Sequence, residues 1–211
     1  MNALPMPVVL TLAIAAATTA CSTPPRAERY VPPPAGATWS YQVTSSGSFG
    51  SGVSTLTMRM ASGQWQGQPV LRYEYAAGAT LQTDRVGLLA TLDRNGNPLM
   101  RYDPPLSFEW PLEVGRSWTQ QHMLRIGASG EPVPMTSRWK VEAHEEVTVP
   151  AGTFKAWKIV MEDNFGFRQT TWSVPETMGA FARRVNERSA THPMGGAGVQ
   201  VMEMTAVPAL R

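Results

Sequence analysis

Apolar and polar residues alternate one by one along much of this chain, and a period of two is satisfied only by extended backbone, whose successive side chains point to opposite faces. Leu56, Met58 and Met60 alternate with Thr55, Thr57 and Arg59, and Leu71, Tyr73 and Tyr75 alternate with Arg72 and Glu74. Hardly any segment beyond the N-terminal region shows the 3.6-residue period of a helix. Short runs rich in Val, Thr, Tyr and Trp recur instead between Gly, Pro, Asn and Asp, the residues that punctuate strands. The connection Gln64-Trp65-Gln66-Gly67-Gln68-Pro69 predicts a hairpin. Between Leu88–Leu92 and Leu99–Tyr102, Asn95-Gly96 predicts a tight turn, because both residues tolerate positive φ. The pattern gives about ten to twelve strands at short spacing. The expected fold is therefore all-β, a curved antiparallel meander forming an open or half barrel, with a two-layer β-sandwich as the alternative. After a loop at His192–Gly198, Val199–Val207 forms a last strand that pairs at an edge or closes the sheet.

Ahead of the strands, an apolar stretch runs from Val8 to Ala20 and ends at Cys21, the single cysteine. It is shorter than the ~20 residues of a membrane-spanning helix and has the length of a signal-peptide apolar region. Thr18-Thr19-Ala20-Cys21 resembles the lipobox of bacterial lipoproteins, in which small residues precede a cysteine that is acylated and becomes the first residue of the mature protein. The resemblance implies a signal peptide over residues 1–20, lipidation of Cys21, and a chain tethered to a membrane without spanning it. Several acyl chains hold such a tether where a single one does not. Ordinary secretory cleavage after Ala20 or Ala17 is the alternative and would give a soluble periplasmic or secreted protein. Ser22 replaces the aspartate associated with inner-membrane retention, so the outer membrane, facing the periplasm, is the expected location. Residues 21–37, with Pro24-Pro25 and Pro32-Pro33-Pro34, are expected to form an extended spacer with no core to bury. Residues 38–211 are long enough for a single β-domain.

The formal charge of +2, with acids and bases interspersed, does not suit a nucleic-acid partner, which calls for clustered Lys and Arg. The densest basic run, Arg183-Arg184 with Arg188, reads as a solvated strand face. Ser137-Arg138-Trp139-Lys140 matches the S-x-x-K pattern of penicillin-binding enzymes, but it runs into a strand, where residues three apart face opposite ways. Ser45–Gly52 holds neither a nucleophile elbow nor a phosphate-loop lysine. His122, His144 and His192 lack metal-ligand spacing, and His144-Glu145-Glu146 reads as a solvated strand end. No catalytic residue, metal or cofactor is expected. Twelve methionines include the pairs Met58/Met60 and Met202/Met204. Thioethers select Cu(I), but Met also fills irregular cores and adaptable apolar grooves, which is the favoured reading.

The segment Val147-Thr148-Val149-Pro150-Ala151-Gly152-Thr153-Phe154-Lys155-Ala156 reads as strand, turn, strand. It resembles the V-x-V-P-A-G-x-F-x-A hairpin of bacterial envelope β-proteins of uncharacterised function. Pro111-Leu112-Glu113-Val114-Gly115-Arg116-Ser117-Trp118 and Thr171-Trp172-Ser173-Val174-Pro175 with Gly179 match the flanking pieces. The resemblance spans roughly Trp39 to Arg188. It implies a curved sheet akin to the lipoprotein-carrier half-barrels of the periplasm, with no catalytic residues to carry over. Seven tryptophans lie along the strands, and a concave face rich in Trp and Met could receive an acyl chain or another apolar ligand. Tyr41, Trp65, Tyr73 and Trp157 are the expected pocket wall; filling of a sandwich core is the alternative. The expectation is a non-enzymatic envelope lipoprotein that binds an apolar ligand, or, alternatively, a structural or assembly protein that binds an envelope protein partner.

Overall fold

The computed structural model describes residues 24–210, so Cys21 and the apolar stretch expected to be a signal peptide lie outside the described residues. The described chain carries fourteen strands: β1 (Arg26–Ala27), β2 (Thr38–Gly47), β3 (Gly52–Trp65), β4 (Gln68–Tyr75), β5 (Gly78–Gln82), β6 (Gly87–Asp93), β7 (Pro98–Ser107), β8 (Leu112–Glu113), β9 (Ser117–Ile126), β10 (Val133–Val149), β11 (Gly152–Asp163), β12 (Phe167–Val174), β13 (Ala180–Arg188) and β14 (Gly198–Ala209). Twelve of them close into one antiparallel barrel, each beside its neighbour in the chain, with β7 paired to β9 and β14 paired to β2. The remaining two, β1 and β8, pair with each other.

The meander and the antiparallel all-β class are as expected, but the barrel is closed rather than open or half-open, and the two-layer alternative does not occur. Closure rests on the pairing of β2 with β14, where Val43 faces Met202 and Tyr41 faces Met204. An open sheet leaves two edges of unpaired N–H and C=O groups, which closure removes. The turns fall where the sequence placed them. Gly67 and Gly96 have φ of 79° and 84°, and the Asp93 carboxylate accepts the N–H groups of Asn95 and Asn97 at 2.8 Å each. Those bonds hold its pKa below the usual carboxylate value, led by the side-chain bond from Asn97.

Alternation sorts the strands between a polar exterior and a largely apolar interior. Arg59 pairs with Glu74, Lys158 with Glu142, and Arg183 with Glu203 on neighbouring strands of the outer face, at 3.4, 2.9 and 3.5 Å. Barrels that cross a membrane carry an apolar band on that face; here it is studded with charge. Trp39, Tyr41, Met60, Tyr73 and Met204 pack together inside. Trp118, Trp139, Val141, Ile159 and Met161 form a second cluster, with the Trp118 and Trp139 rings stacked at 5.6 Å.

The proline-rich segment, expected to be a spacer with no core to bury, is docked on the barrel from Arg26 on. Ala27 is fully buried beside Leu112. The Val31 N–H donates to the Pro175 carbonyl at 2.8 Å, and the Tyr30 hydroxyl bonds to the Tyr73 hydroxyl and the Gly179 carbonyl. Burial lifts the Tyr30 and Tyr73 hydroxyls well above their ordinary pKa, Tyr73 to about 12. The sequence hid this docking because it rests on one alanine and one tyrosine set among prolines.

Candidate functional site

Twelve strands make a barrel too wide for its own side chains to fill, since diameter grows roughly in proportion to strand number. The consequence is an internal cavity of about 570 Å³, within the ~300–1,000 Å³ range of small-molecule sites. Its apolar wall is rich in methionine and aromatic rings, with Met58, Met100, Met135 and Met161 beside Phe108 and Trp139. Unbranched thioethers adapt to a ligand's contour at little cost. Tyr102 also faces the cavity, and burial, with a smaller contribution from Asp163, pushes its hydroxyl up to about 12.

Polar side chains on four neighbouring strands are hydrogen-bonded from one strand to the next, and Gln169, Arg184, Asn186 and Gln200 among them line the cavity. Arg184 Nε donates to Thr171 Oγ1 at 3.3 Å, and Thr171 Oγ1 donates to Gln169 Oε1 at 3.3 Å. Gln169 Nε2 donates to Asn186 Oδ1 at 3.0 Å, and Asn186 Nδ2 to Gln200 Oε1 at 3.2 Å. Gln200 Nε2 donates to Ser45 Oγ at 3.3 Å. This chain crosses β12, β13, β14 and β2 and starts at a guanidinium. Desolvation lowers the Arg184 pKa to about 10.

A bulge brings Phe181 onto the same face as Arg184. Trp172 pairs with Arg183, but the next residue, Ser173, pairs with Phe181, leaving Ala182 extra. Phe181 and Arg184, three apart, therefore both reach the cavity. The guanidinium lies 4.0 Å over the Phe181 ring, which stacks at 4.4 Å on Tyr41. The expected solvated face of Arg183-Arg184-Arg188 holds for Arg183, which pairs with Glu203 outside. It fails for Arg184 and Arg188, which line the cavity. The alternation of β13 could not reveal this, because polar residues occupy both of its faces.

None of the four residues expected as a pocket wall is among those lining the cavity. Tyr41 and Tyr73 lie in one packed cluster, where Trp39 Nε1 donates to the Tyr41 hydroxyl at 3.0 Å and that hydroxyl donates to the Phe181 carbonyl at 3.1 Å. Trp157 is buried in the second cluster and stacks on His144 at 4.3 Å. Trp65 packs with Val70, Leu81, Ala90 and Leu92, away from the cavity. The structure brings together Tyr41 and Tyr73 and separates the other two from them.

His122 and Ser137 meet on the inner faces of β9 and β10. His122 Nδ1 donates to the Pro104 carbonyl at 2.8 Å, and Nε2 of the ring is hydrogen-bonded to the Ser137 hydroxyl at 2.9 Å. Ser137 is 0 % exposed, and its oxygen also accepts Trp139 Nε1–H at 2.9 Å. The pair is a buried polar tie whose imidazole is oriented by a backbone carbonyl. Lys140, at the end of the S-x-x-K match, is exposed, on the opposite side of the strand from Ser137. His144 stacks on Trp157, and Glu145 accepts Trp172 Nε1–H at 2.9 Å. Among the described residues, no group of His, Cys, Asp and Glu is arranged to hold a metal ion.

No protein-family model matches the chain, and no curated protein matches its sequence. Among solved structures, it is similar to the hypothetical lipoprotein YmcC of Escherichia coli, with 12 % identity and a TM-score of 0.46 over 80 % of this chain and 83 % of that one. It is also similar to a protein of YmcC-like fold from Bacteroides fragilis, with 12 % identity and a TM-score of 0.44 over 84 % of this chain and 99 % of that one. Likeness at this level transfers no function.

Proposed function

We propose that this protein is a non-enzymatic lipoprotein of the bacterial envelope, anchored through an acylated Cys21 in the outer membrane and facing the periplasm, whose barrel receives an apolar ligand such as a lipid or acyl chain. The observation that carries the ligand reading is the cavity of about 570 Å³ with its wall of Met, Phe and Trp. Side chains of this kind supply transfer free energy to an apolar ligand at roughly 25 cal/mol per Å² removed from water. The charged outer face favours a domain standing in water, beside a membrane rather than within it.

The docked leader gives the anchor a geometry. Five peptide units separate Cys21 from Arg26, a reach of at most about 18 Å. An acylated Cys21 thus keeps the β8 end of the barrel close to the lipid surface. The anchor is tested by fractionation: Cys21→Ser is expected to leave the membrane under high salt and carbonate, and persistence in the membrane fraction would refute anchoring at this residue.

The ligand reading is tested with N-phenyl-1-naphthylamine, an uncharged probe whose fluorescence rises in apolar surroundings. Saturable enhancement, reversed by hexadecanol, is expected. A linear, unsaturable response would contradict a binding cavity and move the function to a protein partner.

A further inference from the structure

The polar lining of the cavity holds a charge that its surroundings do not balance. Arg184 lines the cavity, and among the described residues no carboxylate forms an ion pair with it. Arg188 lines the cavity as well; its Nε is buried without a hydrogen-bond partner, while one Nη donates to the Ser48 and Met194 carbonyls at 3.2 Å each. Among the described residues, Asp163 is the one carboxylate on the cavity wall, and its Oδ1 accepts the N–H groups of Phe165 and Phe167 at 2.8 and 2.9 Å. Two guanidinium groups therefore share the cavity with a single carboxylate that is already bonded to the backbone. Arg184 is half-buried, and a partly desolvated charge without a counter-charge is one that an anionic ligand would stabilise.

Arg184 is also held as a binding group would be. Its guanidinium is stacked on Phe181, which is stacked on Tyr41. Its Nε is committed to Thr171, and the side chains beyond Thr171 donate onward in one direction to Ser45. The Nη groups have no hydrogen-bond partner among the described residues and remain for a ligand. A guanidinium fork matches carboxylate and phosphate oxygens two at a time.

We propose, resting on the reading that the cavity holds an apolar chain, that its ligand is a single-chain amphiphile with an anionic head, a carboxylate or a phosphate monoester, and that Arg184 receives that head while the chain lies along the methionine-rich wall.

The test is a calorimetric comparison of palmitate, hexadecyl phosphate, hexadecanol and inorganic phosphate, on the full chain with Cys21→Ser and on the same chain with Arg184→Gln. At least one charged amphiphile is expected to bind about tenfold or more tightly than hexadecanol, an advantage near 1.4 kcal/mol. Arg184→Gln is expected to abolish the advantage of the charged chains over hexadecanol, and the better of the two charged ligands identifies the head. Equal affinity of charged and uncharged chains for the parent protein would overturn the role of Arg184 and leave the apolar cavity standing. Failure of all three chains to bind would overturn the cavity reading itself. Inorganic phosphate binding as tightly as hexadecyl phosphate would make a free anion the ligand and overturn the amphiphile. The comparison on the parent protein decides the matter even if Arg184→Gln does not fold.

Discussion

Tyr41 joins packing to the polar lining through one hydroxyl and one ring. The hydroxyl accepts from Trp39 and donates to the Phe181 carbonyl, and the ring supports Phe181 beneath Arg184. Burial raises its pKa well above the ordinary tyrosine value, against opposing contributions from Arg184 and its hydrogen bonds. Tyr41→Phe keeps the ring and strands two buried partners, a donor and an acceptor, each costing ~1–3 kcal/mol when left unmade. A fall in stability of that order is expected in denaturant titration, and an unchanged midpoint would contradict it. His192 offers a pH test at the same scale. Its Nδ1 accepts the Met194 N–H at 3.1 Å, so that nitrogen is unprotonated in the fold. Desolvation holds its pKa below the ordinary histidine value, with Arg188 acting in the same direction and Asp163 opposing. As pH falls below about 6.5, the unfolded chain takes up a proton that the folded chain does not. The stability this histidine confers is therefore complete above the unfolded pKa and is lost as pH falls through the folded one. An NMR titration of His192 should show a midpoint under 6.5 with loosening of the Met194 amide on acidification; a midpoint above 6.5 would contradict the buried neutral ring.

At the scale of elements, the strands were readable because their alternation is local, and the hairpins because Gly67, Gly96 and Gly152 sit where a chain reversal needs them. Closure was readable only as one of two roles for the last strand, pairing at an edge or closing the sheet. The β2–β14 pairing joins residues about 160 positions apart, and side chains alternate alike in an open and a closed sheet. The inward turn of Arg184 was hidden for a different reason, since polar residues occupy both faces of β13 and alternation alone does not say which face is inside. Tyr41, Tyr73 and Trp157 alternate as cavity residues do, yet they fill packed clusters beside the cavity. The docked leader yields its own prediction. Gly179 has φ of +60°, and a Cβ there would lie 2.2 Å from the Val31 carbonyl oxygen and 2.7 Å from the Pro33 ring. Gly179→Ala should thus detach the leader from the barrel, raising amide exchange at Val31 and lowering stability by roughly 1–2 kcal/mol from the left-handed backbone alone. Retained protection at Val31 would show that the leader is held by other contacts.

The whole molecule inverts the arrangement of a membrane-crossing barrel, with charge outside and apolar surface within. Its width follows from strand number, and the cavity follows from its width. Polar side chains on four adjacent strands join the apolar lining, so the interior is mixed: methionine and aromatic rings around the barrel, and a hydrogen-bonded array led by Arg184 across β12, β13, β14 and β2. A wholly apolar chain would use only part of such a site. The central claim, that the interior is a binding site and not unfilled packing, is tested most directly by native mass spectrometry of the full chain with Cys21→Ser, exported to the periplasm and purified without detergent. The account predicts a population heavier than the polypeptide by the mass of one apolar molecule, released on unfolding. A spectrum of the polypeptide alone, unchanged after incubation with excess long-chain lipid, would contradict it.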